Sequence, residues 1–232
     1  MNTHPFQLPL PISLRQSARL DNFICEDQFL LSSLATVATA PVRSVHFLWG
    51  SEGCGKTHLL HAVCRQASEN GHRSSYLPLR ELINYPVESI AGLDKSAVVC
   101  IDDAECLSAN DNWQQAIFNL YNRVHDQQGS LLISAQSPPP ELGLSLADLV
   151  SRFQSGPVFH LARPDDDIKI AALTLNAKER GLTLDEKSAR YLLNHYPRDL
   201  HALMDLLTKL DQASLVSQRR ITIPFIREVL GE

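Results

Sequence analysis

Gly50, Ser51, Glu52, Gly53, Cys54, Gly55, Lys56 and Thr57 complete a GxxxxGK(S/T) pattern. An apolar run over 45–49 precedes it, predicting a buried strand, and residues 57–66 follow with the apolar face of a helix. A strand entering and a helix leaving is the setting in which such a loop grips phosphate. Gly50, Gly53 and Gly55 let the backbone turn tightly, so that amides and the helix N-terminus converge on one anion. Lys56 then reaches the β/γ-oxygens and the Thr57 hydroxyl sits on Mg²⁺. His58, next along the helix, is counted with residues 50–57 as nucleotide-binding. The alternative, a glycine-rich turn with an incidental lysine, leaves the flanking strand and helix unexplained.

A second acidic element is expected with such a loop. Residues 97–101 form a continuous apolar run, the pattern of a parallel strand buried on both faces, and the run ends in Asp102 and Asp103. This is a Walker B pattern: Asp102 is expected to hold Mg²⁺ through water, and Asp103 to polarise an attacking water. The alternative is an Asp pair that caps a helix.

Further strands are predicted over 74–77, 130–134 and 157–161, with helices between them. The alternation implies α/β architecture: a five-stranded parallel sheet with helices on both faces. Over 110–127, Trp113, Ile117, Leu120, Tyr121 and Val124 recur at helical spacing and read as core. Beyond Arg163 and Pro164 the pattern is helical only, over 166–180, 184–196, 198–214 and near 224–230. The organisation expected is a leader over 1–22, an α/β nucleotide-binding unit over 23–163, and a small all-helical lid over 164–232. Asp165, Asp166 and Asp167 read as helix-start acids rather than a metal cluster.

Composition narrows the setting. Lys plus Arg number 21 and Asp plus Glu 26, a net charge of −5, with no basic stripe to announce nucleic acid. The five cysteines are odd in number and lack CxxC spacing, which predicts reduced thiols in a cytoplasmic protein. No apolar stretch approaches a membrane span, and no membrane partner is expected.

A P-loop sheet followed by a helical lid resembles the AAA+ ATPases, and the acidic pair after Ile101 resembles their DnaA branch. Residues 149–153, with Arg152 at their centre, are similar to that clade's box VII. The resemblance implies that Arg152 is an arginine finger completing a neighbour's nucleotide site. Arg198, opening a lid helix, takes the place of sensor 2; a surface ion pair is the alternative. Ser134 and Gln136 fall at sensor 1, where relatives often show an acidic residue followed by arginine in place of Gln136 and Ser137. Slow intrinsic hydrolysis is therefore expected.

Gln7, Leu8 and Leu10 lie in the leader and resemble the extended peptides by which bacterial proteins dock on the DNA polymerase III sliding clamp, its β subunit. The whole pattern resembles the regulatory inactivators of DnaA within that clade. The resemblance implies ADP (or ATP) with Mg²⁺ as cofactors, DnaA and the clamp as partners, and a homodimer. Because the chain ends at Glu232 after the lid, direct sequence-specific DNA binding is not expected. The function implied is negative regulation of replication initiation, by stimulating ATP hydrolysis on DnaA. An autonomous AAA+ ATPase, such as a helicase loader or remodeller, is the rival reading.

Overall fold

The computed structural model describes residues 18–25 and 27–231. Gln7, Leu8 and Leu10 lie outside the described residues. The elements run α1 (Gln28–Thr39), β1 (Ser44–Trp49), α2 (Lys56–Glu69), β2 (Ser74–Pro78), α3 (Leu79–Leu82), β3 (Val98–Asp102), α4 (Asp111–Asp126), β4 (Ser130–Ala135), α5 (Ala147–Phe153) and β5 (Val158–His160). Four helices follow: α6 (Asp166–Glu179), α7 (Glu186–His195), α8 (Leu200–Ser217) and α9 (Ile223–Leu230). Short 3-10 turns occur at Val87–Ile90, Leu93–Lys95, Ala104–Ala109 and Pro139–Glu141.

All strand pairings are parallel, and the order across the sheet is β2-β3-β4-β1-β5. The central strands β3 and β4 are buried along their whole length, as a sheet covered on both faces demands. Alternation along β3 divides the two faces. Val99 and Ile101 join Trp113, Ile117 and Tyr121 of α4 and Phe153 of α5 in one core. Cys100, on the opposite face, meets Cys64 of α2. The apolar stripe on α4 is thus core. The fifth strand spans Val158–His160 within the expected 157–161: Pro157 has no N–H to give the ladder, although its carbonyl accepts from Phe47 N at 2.9 Å, and Leu161 N donates to Trp49 O at 2.7 Å just past the strand end.

The chain divides into two compact units, one built on the sheet from Asp27 to Ala162, the other helical from Arg163 onward. The helical unit has its own core of Leu173, Leu192, Leu203, Leu207 and Phe225. Residues 21–25 group with this second unit, whereas the expected boundaries place 21 and 22 in the leader and 23–25 with the sheet. Their anchor is Asn22, only 3% exposed, whose side-chain amide donates to Glu179 Oε2 at 2.9 Å.

Candidate functional site

The loop from Gly50 to Gly55 joins the end of β1 to the start of α2. Gly50 donates its amide to Ala135 O at 3.2 Å, which ties the loop to the end of β4. A Cβ at Gly50 would lie 2.3 Å from Leu161 O, so no larger residue fits there. Gly55 has φ +99°, a left-handed conformation that only glycine adopts freely, and it precedes α2 without any side-chain cap. By contrast α1, α4, α6, α7 and α8 are each capped by an Asp or Asn side chain: Asp27, Asn110, Asp165, Asp185 and Asp199. The first amides of α2 are therefore left for an anion from outside the helix.

Lys56 supplies the matching charge. It is 7% exposed, and its ammonium donates to Gly50 O at 2.7 Å and Ser51 O at 3.1 Å, with Cys54 Sγ at 3.8 Å. None of these partners carries a compensating charge, and a buried cation so placed favours an anion beside it. Ser51, Glu52 and Gly53 are exposed, while Cys54 is buried. His58 is turned to the chain itself, its Nε2 lying 2.9 Å from Arg19 O.

Asp102 ends β3 as the hub of the site, and is 2% exposed. Its Oδ2 accepts from Thr57 Oγ1 at 2.7 Å and from the Tyr76 hydroxyl at 2.7 Å. Its Oδ1 accepts from Ser134 Oγ and from the Asp103 amide at 3.2 Å. Strand geometry brings these groups together. Tyr76 is in register with Cys100, and Cys100 with Leu132, so Tyr76, Asp102 and Ser134 rise from one face of three adjacent strands. Burial and the Asp102 carboxylate push the Tyr76 phenol far above its usual range, so its hydroxyl remains a donor. A hydroxyl and a carboxylate as neighbours are the hard oxygen donors that Mg²⁺ takes, so Thr57 and Asp102 fit the metal.

The Asp103 side chain, unlike its backbone amide, stands apart from that hub. The residue adopts φ +58°, a left-handed conformation that Asp tolerates, and its Oδ2 accepts from Arg80 Nε at 3.0 Å. That hydrogen bond raises the Arg80 guanidinium above its ordinary value. Gln136 contributes its amide rather than its side chain, donating to Glu105 Oε2 at 3.2 Å. A carboxylate thereby stands at the end of β4 beside Gln136 and Ser137, the place where an acidic residue followed by arginine is expected. Tyr76, Arg80 and Glu105 are the participants that sequence reading missed. Glu105 follows the Asp pair closely enough to draw attention; Tyr76 and Arg80 become visible only once β2 is set against β3.

Arg152 lies elsewhere on the sheet unit, exposed near the end of α5, its guanidinium 5.5 Å from the centre of the Tyr121 ring. Arg198 lies in the helical unit and pairs with Asp166, which holds that carboxyl below the usual carboxylate range. Trp49 packs against His160 with ring centres 4.2 Å apart and borders the core. His61 and Tyr76 meet with their rings near perpendicular, centres 4.4 Å apart.

The model of the bacterial DnaA ATPase domain matches residues 14–160, and that of the Hda lid domain matches residues 166–230. Among solved structures, domain III of the Thermotoga maritima replication initiation protein DnaA is similar at 22% identity and TM-score 0.76, covering 94% of this chain and 98% of that one. DnaA from Aquifex aeolicus, bound to AMPPCP, is similar at 24% identity and TM-score 0.66, covering 84% and 65% respectively. A point variant of Thermotoga maritima RuvB shares the fold at 18% identity and TM-score 0.65, covering 92% and 71%. The chain belongs to the bacterial DnaA ATPase-domain family of AAA+ proteins, in its Hda-like form.

Proposed function

We propose that the chain is a nucleotide-bound regulator that acts on DnaA, supplying an arginine to the ATP site of its partner. The observation that carries this is Arg152: exposed on α5, resting on Tyr121, and with no carboxylate of the described residues within ion-pair distance. A guanidinium held by an aromatic face keeps its charge available to a phosphate brought to it from outside.

In its own site, the amides of the loop and Lys56 hold a diphosphate, with ADP or ATP as the nucleotide. The AMPPCP in the related DnaA supports an adenine base. Thr57, and Asp102 through water, would hold Mg²⁺, which would supply neutralisation of the phosphate charge. Asp103 exchanges Arg80 for a water only if hydrolysis occurs here, and Ser134 with Gln136 lines the far end of the site. Arg198 leaves Asp166 for the phosphates; an exposed ion pair of this kind exchanges readily. Gln7, Leu8 and Leu10 dock the chain on the DNA-loaded sliding clamp, raising its effective concentration near DnaA. Arg152 then stabilises charge on the γ-phosphate in the DnaA site, leaving DnaA with ADP and preventing a second initiation. Arginine fingers supplied in trans are worth about 10³–10⁵ in rate. A homodimer stores the finger before DnaA arrives.

The test is hydrolysis of labelled ATP preloaded on DnaA, with clamp-loaded DNA, under three conditions: no addition, this protein, and its Arg152→Ala variant. Stimulation by the wild type that the variant loses is the expected result. Hydrolysis by this protein alone, indifferent to Arg152, would instead support the autonomous ATPase, the reading that Glu105 beside Gln136 favours.

A further inference from the structure

Arg152 does not stand alone on its surface. Tyr121 of α4, whose ring faces the Arg152 guanidinium, also stacks on His125 one turn further along, with ring centres 5.6 Å apart. The Tyr121 hydroxyl lies 2.9 Å from Ser155 Oγ, which donates to Arg152 O at 2.7 Å and so ties that ring to the end of α5. His125 carries a second arginine: its Nε2 accepts from Arg43 Nε at 2.6 Å, which requires a neutral imidazole. Burial, then the charges of Arg43 and Arg152, hold this ring below its ordinary 6.5, with Asp126 acting in the opposite sense. Only Nε of Arg43 is engaged among the described residues, so its two terminal amino groups remain available. Arg43 and Arg152 are both exposed, and neither has a carboxylate of the described residues within ion-pair distance. Arg123, also on α4, pairs by contrast with Asp94 at 3.7 Å.

We propose that Arg43, positioned by His125, is a second cation of the Arg152 surface, and that the two arginines together receive the phosphates of a nucleotide held by another protein. The inference rests on the reading of Arg152 given above. Arg43 immediately precedes β1 and the phosphate loop immediately follows it. Six residues of strand put about 20 Å between them, so the phosphates of this chain's own site are out of reach and the anion must come from outside. Two like charges gathered without an acid repel each other, and an oxyanion set between them relieves that repulsion. A guanidinium tied through Nε keeps the terminal fork that matches phosphate oxygens bidentately. A neutral imidazole can hold Arg43 without cancelling its charge, as a carboxylate would.

The experiment is hydrolysis of ATP preloaded on DnaA with clamp-loaded DNA, with the full chain limiting, for wild type, Arg152→Ala, Arg43→Ala, His125→Leu, His125→Gln and the double variant Arg43→Ala/His125→Leu. Thermal unfolding of each variant alone identifies those that fold. Arg43→Ala should lower the stimulated rate by about tenfold, the worth of one hydrogen bond between charged groups. His125→Leu, which removes the acceptor, should lower it in the same direction, and the double variant should be no slower than Arg43→Ala, because the histidine acts only through the arginine. His125→Gln places an amide oxygen near the position of Nε2 and should recover most of what His125→Leu loses. A role confined to closing the end of α4 would lower the melting temperatures and leave the stimulated rate of the folded variants unmoved. That result, a His125→Leu rate equal to wild type, or a double variant slower than Arg43→Ala overturns the proposal. Stimulation by wild type that Arg152→Ala loses secures the reading of Arg152 independently of Arg43, whereas absence of stimulation by wild type would overturn both.

Discussion

His46 shows what burial does to a single titratable side chain. It is 5% exposed on β1, its Nε2 is 2.7 Å from Ser33 Oγ, and its Nδ1 has no hydrogen-bond partner among the described residues. Burial holds its pKa below the ordinary 6.5, so the folded chain keeps the ring neutral where the unfolded chain already protonates it. The unfolded state then binds more protons, and stability contributed above pH 6.5 is lost as pH falls through the lowered value. Urea unfolding at pH 7.5, 6.5 and 5.5 should show this loss, at most about 1.4 kcal/mol per pH unit from this group. His46→Phe, which keeps an aromatic surface beside Phe159, should flatten the slope below pH 6.5. The residues of the site divide in the same physical way between legible and hidden. Lys56, Thr57 and Asp102 are readable because a loop or strand end presents them in fixed sequence order. Tyr76 reaches Asp102 through strand register, which a single sequence does not reveal.

At the scale of elements, the run of three acids at the start of α6 resolves into three separate tasks. Asp165 caps the helix by accepting from Ile168 N at 2.8 Å, Asp166 pairs with Arg198, and Asp167 pairs with Arg190 at 3.3 Å. Asp165→Ala should lower stability by about 1 kcal/mol, whereas Asp165→Ser should stay within a few tenths of the wild type. Chemical denaturation of the three proteins checks this; equal stabilities would remove the cap as a contributor. Helices and strands of this chain are legible where periodicity is long or where Gly and Asp punctuate it. The 3-10 turns between β2 and β3 are not, because three or four residues carry too little periodicity to separate them from loop. Helix ends moved by one to three residues, as with α8, which starts at Leu200 once Asp199 is recognised as its cap.

For the whole molecule, the two compact units raise the question of whether one nucleotide stabilises both. If Arg198 joins the phosphate site as proposed, ADP stabilises the chain by RT ln(1 + [L]/Kd), and Arg198→Ala forfeits part of it. Removing one charge-assisted contact should weaken ADP by about tenfold, and the ADP-induced rise in Tm should shrink accordingly. An unchanged rise would confine the nucleotide to the sheet unit. The division into sheet and helical parts is legible from the change in periodicity after Pro164. The order of strands is not, since it depends on packing between segments far apart in the chain. That order has a consequence for the chain as it is made. β1 emerges early, yet its partner β4 lies 86 residues on, as the Ser44–Ser130 contact marks, and β5 is further still. At bacterial-scale elongation of about 5–20 residues per second, β1 waits roughly 4–17 s for its first neighbour. During synthesis β2 and β3 can pair first, and the phosphate loop takes shape only when the ribosome has nearly finished the sheet.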